Sequence, residues 1–391
     1  MKIVLFLLGG WGMATFEIQL SRKMIDWIAD VEGVTTRALA ELLMPKKQDQ
    51  FMNGTVTKGA AEKLARMGGI PFGYLFLEHP PKETKIDIPD LRQAPDSIAL
   101  SKDFIDTYKD IKYKIDWYKD YLNEFGYDAP KDFIGRFSIN SEVSDVANNI
   151  AKTIGFDLKN ILPRVSKESY FGVVSTLVEN VGVLVFKNGI VKSNTKRQLN
   201  TREFRGFCII DPVAPSVFIN GADAFSAQTF TLFHEVAHLW IGKEGVSNWD
   251  FENKIESFCN KVAAEVLMPT KYFIEKWKAE VGNGLDDVYV NNNVSKYFRV
   301  SSYASAIKAK NLGLIDDASF LFIKDISGKV KKKDNNGANP YAVYPYRNSP
   351  KITDAILSSA ITQSLPIREA ANMLNIKAGT VMELYRKRNA R

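Results

Sequence analysis

The stretch that most constrains this chain is residues 228–240, Gln-Thr-Phe-Thr-Leu-Phe-His-Glu-Val-Ala-His-Leu-Trp. It places two histidines four positions apart, so a helix would present both imidazoles on one face. The chain has 3 histidines, and two of them, His234 and His238, lie here. Paired imidazoles at this spacing suit Zn²⁺, and Glu235 beside them is the candidate general base. The motif therefore predicts a zinc site built on a helix.

A catalytic zinc site needs three protein ligands and an open position for water. No third histidine is suitably placed, so we expect a carboxylate to complete the set. Glu256 lies on an otherwise apolar helical face, where a carboxylate is costly unless a cation or a donor satisfies it. Glu265 on the same helix points about half a turn away and cannot serve the same site. The acidic candidates downstream of the motif are Glu244, Asp250, Glu252, Glu256 and Glu265.

We therefore predict His234, His238 and Glu256 as metal ligands, with Asn260, one helical turn after Glu256, as an outer hydrogen-bond donor. Two alternatives remain open at this stage. Glu256 could pair with a neighbouring lysine or face solvent. A structural zinc site could be closed by a fourth ligand such as Cys259, although Glu235 would then have no catalytic role.

Length and composition describe an ordinary globular chain. Its 391 residues suffice for two or three domains, and 45% hydrophobic with 25% charged residues are typical values. The net charge of +7 is compatible with DNA or an acidic partner, although a solvated basic surface explains it equally well. The 2 cysteines give no disulfide framework, which favours a cytoplasmic location.

The first residues contain an apolar run, residues 3–8, that is short for a signal peptide and has no clean cleavage site after it. We expect an initial strand there, or an over-long start ahead of Met13. No stretch approaches the roughly 18 apolar residues of a membrane span, so we expect no membrane partner.

Periodicity divides the chain into four predicted parts. Residues 14–80 carry short helices, at 22–31, 37–43 and 58–67, that suit a helix-turn-helix bundle or a plain helical packing domain. Residues 81–139 begin as a proline-rich linker and continue as a long helix whose aromatic stripe is typical of packing. Residues 140–328 form the motif domain, and the polar segment 329–339 separates it from a small helical C-terminal domain, residues 340–391.

Within the motif domain, short strands at residues 181–186, 204–211 and 216–220 precede the histidine helix. The predicted fold class is therefore α+β and mostly helical. A small antiparallel sheet packs on the motif helix in a zincin-like arrangement, flanked by helical N-terminal and C-terminal domains.

The motif and its downstream helix resemble the ImmA/IrrE family of zinc metallo-endopeptidases. That family shows His-Glu-x-x-His, then Glu-x-x-Ala-Asn-x-x-Ala and a Leu-Met-Pro ending. Residues 230–238 and residues 255–269, Ile-Glu-Ser-Phe-Cys-Asn-Lys-Val-Ala-Ala-Glu-Val-Leu-Met-Pro, follow this pattern. By this resemblance His234 and His238 match the family's histidine ligands, Glu235 its base and Glu256 its third ligand. One departure is Cys259, where alanine is usual.

The resemblance extends upstream and implies partners. Residues 205–211 and 215–220 resemble the strand pair that precedes the motif in longer family members, and residues 14–92 resemble a degenerate Xre-type helix-turn-helix. Such proteins are associated with mobile elements and stress responses. The resemblance implies an Xre-type repressor or antitoxin as substrate or inhibitor.

Two functional hypotheses follow. In the first, the protein is a zinc endopeptidase in which Glu235 moves a proton from water to the leaving amine, while a free strand edge at residues 204–211 or 216–220 aligns the peptide. In the second, it is a toxin component or a DNA-binding regulator with a non-proteolytic zinc site. Basic segments support the second hypothesis: Lys196-Arg197, Lys331-Lys332-Lys333 and Arg386-Lys387-Arg388.

Overall fold

The computed structural model describes residues 17–32, 34–68, 70, 72–80, 100–127, 129–243, 246–247, 254–282, 286–328 and 340–389. The chain forms two compact units, residues 1–87 and 88–391. Three predictions concern residues outside this described part: those for the first residues, for the proline-rich linker up to residue 99 and for segment 329–339. Among the described residues, every helix is too short or too polar to cross a bilayer.

The first unit is a small helical bundle with a two-stranded antiparallel sheet. The predicted helices are confirmed, and Thr35 caps the second by accepting a hydrogen bond from the Ala38 amide. The sequence analysis missed a five-residue helix and the β1–β2 pair, whose three-residue strands are too short to show alternation. Whether this bundle is a helix-turn-helix remains a prediction. The elements are β1 Glu17–Gln19, α1 Arg22–Glu32, α2 Thr36–Leu43, α3 Gln48–Met52, β2 Thr55–Thr57, α4 Lys58–Gly68 and a 3-10 helix Phe72–Phe76.

The second unit is mostly helical around one four-stranded sheet, which confirms the predicted α+β class. Its first elements are α5 Lys102–Glu124, α6 Val143–Ile154, α7 Leu158–Ile161, a 3-10 helix Leu162–Arg164, α8 Lys167–Asn180, β3 Leu184–Asn188, β4 Gly206–Ile209, β5 Ser216–Asn220, α9 Phe225–Ile241 and β6 Val246–Ser247. The remaining helices are α10 Lys254–Leu267, α11 Thr270–Val281, α12 Asp287–Phe298, α13 Ser302–Asn311, α14 Asp317–Gly328, α15 Pro340–Arg347, α16 Pro350–Ile361, α17 Ile367–Leu374 and α18 Ala378–Asn389.

The strands lie in the order β3-β5-β4-β6. β4 is antiparallel to both its neighbours, whereas β3 and β5 are parallel. β5 is therefore an interior strand, and β4 is paired on both sides at Gly206 and Phe207. The expectation that one of these two strands offers a free edge to a peptide is wrong at those positions, because β3 and β6 form the edges.

Helices cover both faces of the sheet. Cys208, Val217 and Ile219 share one core with α8 and α9. On the other face, Phe207 packs against Phe104 of α5 with ring centroids 5.5 Å apart. The long aromatic helix therefore packs on the sheet, as its stripe predicts, and the motif helix α9 is held between the sheet and the other helices.

The C-terminal helices are fixed to the same unit by buried polar contacts. Ser349 donates to Glu179 of α8 at 2.6 Å, and Lys114 of α5 donates to Asn348 at 2.8 Å. All four side chains are buried. The segment 340–389 thus packs directly on α5 and α8, although the boundary of a separate C-terminal domain remains a prediction.

The buried carboxyl of Glu179 makes stability depend on pH. Burial raises its pKa from 4.5 to about 7, although Ser349 and the Val185 amide donate to it. The folded state therefore retains a proton that the unfolded state loses above about 4.5, so this contribution to stability disappears as the pH rises through about 7. Between about pH 5 and about pH 8, the free energy of unfolding measured by denaturant titration should fall by about 3 kcal/mol more in the wild type than in Glu179→Gln.

An exposed carboxylate on α11 supplies the control for this measurement. Glu275→Gln should follow the wild-type pH profile, since its side chain is exposed. If Glu179→Gln followed the wild-type profile as well, the pKa of Glu179 would not be raised on folding.

Candidate metal centre

Helix α9 positions both histidines and the glutamate between them in the interior. His234, Glu235 and His238 are each 0% exposed. The helix ends at Gly242, whose φ of +64° favours glycine and whose added Cβ would lie 3.0 Å from the Gly135 Cα. After this turn the carbonyl of Lys243 lies 2.8 Å from His238 Nδ1. The helix end therefore supplies a hydrogen-bond acceptor to one of the imidazoles.

Three side-chain groups converge on one point between α9 and α10. His234 Nε2 lies 3.0 Å from Glu256 Oε2, and His238 Nε2 lies 3.2 Å from Glu256 Oε1. The two Nε2 atoms are 3.1 Å apart. Tetrahedral zinc with bonds of 2.0–2.1 Å places its ligand atoms about 3.3 Å from one another. The spacing of these groups therefore fits a zinc ion bound at their centre.

The tautomers of the histidines follow from their outer hydrogen bonds. Asn260 Oδ1 lies 2.9 Å from His234 Nδ1, so this side chain accepts a hydrogen bond here, whereas the sequence predicted a donor. The Lys243 carbonyl accepts from His238 Nδ1 at 2.8 Å. Oxygen acceptors at both Nδ1 atoms place a ring proton there, so each Nε2 offers a lone pair once its imidazole is neutral. Two lone pairs and the Glu256 carboxylate then face one another, and a cation at their centre would satisfy all three.

The electrostatics of the cluster also favour positive charge. Burial would raise the pKa of Glu256, but its contacts to His234 and His238 outweigh burial and hold that pKa below its ordinary value. Burial would lower the pKa of His238, but Cys259 and Glu256 outweigh it and raise that pKa. The pKa of His234, by contrast, is lowered, chiefly by burial, so the positive charge of the cluster lies at His238 and a metal ion would displace that proton on binding.

Comparison with known proteins gives one match. Residues 178–310 match the family model Peptidase_M78, the IrrE N-terminal-like domain. No curated protein and no solved structure matches the chain. The matched segment begins in α8 and ends in α13, so it contains the whole four-stranded sheet and all three groups of the cluster. The match supports a metallopeptidase-type function for this IrrE-like segment.

The carboxylate of Glu235 lies beneath the backbone of β4. A Cβ built on Gly206 would lie 2.7 Å from Glu235 Oε1, 2.7 Å from Thr231 Cγ2 and 2.8 Å from the Phe218 carbonyl. Such distances are too short for carbon, so only glycine allows the strand to pass this close. Sequence reasoning missed this role of Gly206, and its only signal was a glycine inside a strand pattern.

Gly206→Ala should therefore displace the Glu235 carboxylate and leave the metal ligands in place. We expect peptide cleavage to fall by about 100-fold, because a displacement of the order of 1 Å suffices for such a loss. Bound metal, measured by mass spectrometry of digested protein, should remain at the wild-type level. The control is Gly282→Ala, whose Cβ would meet other atoms only at 3.5 Å. Equal cleavage by Gly206→Ala and wild type would contradict this placement of Glu235.

The structure separates the other acidic candidates from the cluster. Glu265 accepts hydrogen bonds from Lys308 at 2.6 Å and from the Thr270 amide at 2.8 Å, so it is occupied elsewhere, as its position on the helix predicts. Glu244, Asp250 and Glu252 lie outside the described residues. Both cysteines are buried and form no disulfide, and Cys259 lies beside His238. Among the described residues, the group that could hold a metal consists of His234, His238 and Glu256, without either thiol.

Proposed function

We propose that this protein is a zinc-dependent endopeptidase whose metal is held by His234, His238 and Glu256. The observation that carries the proposal is the convergence of their ligand atoms to 3.0–3.2 Å beside the buried Glu235. Three protein ligands are the number found in catalytic zinc sites, whereas structural sites have four. The match of residues 178–310 to a peptidase family supports the same conclusion.

The chain's own residues would divide the chemistry as follows. A bound zinc ion supplies Lewis acidity to the scissile carbonyl and to the attacking water. Glu235 accepts the proton of that water and later delivers it to the leaving amine. Asn260 and the Lys243 carbonyl hold the two imidazoles in the tautomer that presents Nε2 to the metal.

Access to this site requires a structural change. The side chains of the cluster and of Glu235 are buried, Glu256 being the most accessible at 5% exposed. An extended peptide cannot reach buried atoms unless the segments around them move. The edge of β4 beside Glu235 is also paired with β6 at Gly206 and Phe207. We infer that the protease is inactive in this conformation and is opened by a partner or by its substrate.

The proposed partner is an Xre-type repressor or antitoxin encoded alongside, which acts as substrate or inhibitor in mobile-element or stress regulation. This part of the proposal rests on the resemblance of the motif helices to the ImmA/IrrE family and of residues 14–92 to a degenerate Xre-type domain. A cytoplasmic location accords with two buried cysteines that form no disulfide.

Co-expression tests the proposal directly. The protein is produced together with the product of the neighbouring gene, and fragments are identified by mass spectrometry. Wild type should produce defined fragments, Glu235→Gln should produce none, and Glu265→Gln, a carboxylate of α10 outside the cluster, should behave as wild type. Identical fragments from wild type and Glu235→Gln would refute the endopeptidase. Absence of fragments from every variant would refute this choice of substrate.

The alternative function, a DNA-binding regulator or toxin component with a non-proteolytic zinc site, receives mixed support from the predicted basic segments. Arg197 is bound to Asp103 and Asp106, and Arg388 is bound to Asp354. Residues 331–333 lie outside the described residues. Lys377 and Arg386 of the C-terminal segment are exposed, and they favour DNA for a different reason, which is their position around α18.

A further inference from the structure

The last three helices form a compact bundle. α16, α17 and α18 each pack against the other two. Ala370 and Ala371 of α17 are buried, as are Val381 and Leu384 of α18, so small side chains on one helix let the other approach closely. α17 has 8 residues and α18 has 12. These are the lengths and contacts of a helix pair supported by a third helix.

The connection between α17 and α18 is a three-residue turn, residues 375–377. Asn375 ends α17 in the left-handed region with φ 55° and ψ 42°. The amide of the next residue, Ile376, donates to the Ala371 carbonyl at 2.9 Å, which closes the helix end and reverses the chain. A short turn with one left-handed residue is the connection that defines a helix-turn-helix.

The second helix presents an open face. The exposed residues of this face are spaced by one, three or four positions: Ala378, Gly379, Met382, Glu383 and Arg386. Lys377, just before the helix, is exposed as well. The small residues at the start of this face would allow its backbone to approach another surface closely. In a helix-turn-helix, the N-terminal residues of the second helix contact the base edges in the major groove.

The exposed charges around this face suit a phosphate backbone, since the carboxylate that contacts the turn, Asp110 beside the Asn375 amide, is neutralised by the buried Lys114. Lys377 and Arg386 are exposed and form no ion pair within the described part of the chain. Ser193 donates to the Asn375 carbonyl at 2.6 Å, which brings the exposed Lys192 and Lys196 beside the turn. The one acidic residue of the face, Glu383, is paired with Lys387 at 3.0 Å. The surface is therefore positive where DNA strands would flank the helix.

A second helix pair in the same unit serves as an internal comparison. α12 and α13 are also joined by three residues, beginning with Arg299 at φ 60°. However, α13 packs against α14, and only Lys310 and Asn311 of its 10 residues are exposed. The same connection thus occurs twice, but α13 has no open face for a ligand. Of these two pairs, the open one is α17–α18.

We propose that α16–α18 form a helix-turn-helix that binds duplex DNA, with the exposed face of α18 in the major groove. This function is separate from peptide hydrolysis and from the Xre-like interpretation of the N-terminal unit. The positive groups position the helix on the phosphates, and Ala378, Gly379 and Met382 face the bases.

Fluorescence anisotropy with the full-length protein tests this proposal. The probe is a labelled mixed-sequence duplex of about 30 base pairs, titrated at several salt concentrations. The double variant Lys377→Ala/Arg386→Ala should weaken binding at least about tenfold and reduce the salt slope by about 2. The control Lys271→Ala/Lys278→Ala removes two exposed lysines from α11 and should bind within about twofold of wild type.

A third double variant, Arg37→Ala/Lys46→Ala, removes two exposed charges from the N-terminal unit. Loss of binding in the C-terminal variant alone supports the proposal. Absence of binding by wild type overturns it, as does loss only in the N-terminal variant or equal weakening by the α11 control. The substituted side chains are exposed, so all variants should unfold at the wild-type temperature to within about 2 °C.

Discussion

Glu235→Gln should abolish peptide hydrolysis and leave the metal in place. Glutamine has nearly the same shape as glutamate, so packing beneath Gly206 is retained, but it cannot accept the proton of the attacking water. Loss of a general base costs about 100- to 10,000-fold in rate. Glu235 is not among the three converging groups, so bound metal should remain at the wild-type level. The rate is measured by single-turnover cleavage of the cognate substrate, and the metal content by elemental analysis.

The matched control for this substitution is Glu265→Gln on α10. Glu265 pairs with Lys308 and lies outside the cluster, so its loss should affect stability but not the chemical step. If Glu235→Gln and Glu265→Gln cleaved equally fast, Glu235 would not be the base and the proposed mechanism would be wrong.

Glu256→Gln should have the second large effect, on metal affinity. The substitution removes the only negative charge among the three groups and replaces a carboxylate by a neutral amide, a poorer ligand for zinc. Changes to outer hydrogen-bond partners already cost about 10- to 100-fold in metal affinity, so loss of a direct ligand should cost at least about 100-fold. Competition with a chromophoric chelator measures this affinity.

The same substitution should make the free energy of unfolding nearly independent of whether metal is present. A metal present at about 100 times its dissociation constant stabilises the folded state by about 2.7 kcal/mol. A chelator should therefore lower the free energy of unfolding of wild type and of Glu265→Gln, but have little effect on Glu256→Gln. Equal metal affinity in wild type and Glu256→Gln would exclude this carboxylate as a ligand.

The convergence of His234, His238 and Glu256 could be predicted because each helix carries its own local signal. The spacing of His234 and His238 sets their common face, and the apolar surroundings of Glu256 identify it as a carboxylate in need of a cation. The remaining parts of the site depend on contacts that no local pattern encodes. Gly206 passes over Glu235 because β4 crosses α9, and the Lys243 carbonyl reaches His238 because Gly242 ends the helix.

The fold also has parts that follow from local sequence patterns and parts that depend on distant contacts. The lengths of α1, α2 and α4 follow from periodicity and helix-stop signals, and the structure confirms each end to within one residue. The parallel pairing of β3 with β5 and the two-residue β6 could not be read from the sequence, because pairing depends on residues far apart in the chain. The significance of the turn at Asn375 likewise depends on which face of α18 is exposed, and this too is set by contacts between distant residues.

The central claim is that two imidazoles and one carboxylate hold a zinc ion beside Glu235. X-ray absorption at the zinc edge of the zinc-loaded, full-length protein tests it most directly. The account predicts a shell of nitrogen and oxygen at about 2.0–2.1 Å and no sulfur. A sulfur shell at about 2.3 Å would place Cys259 or Cys208 on the metal and contradict the account.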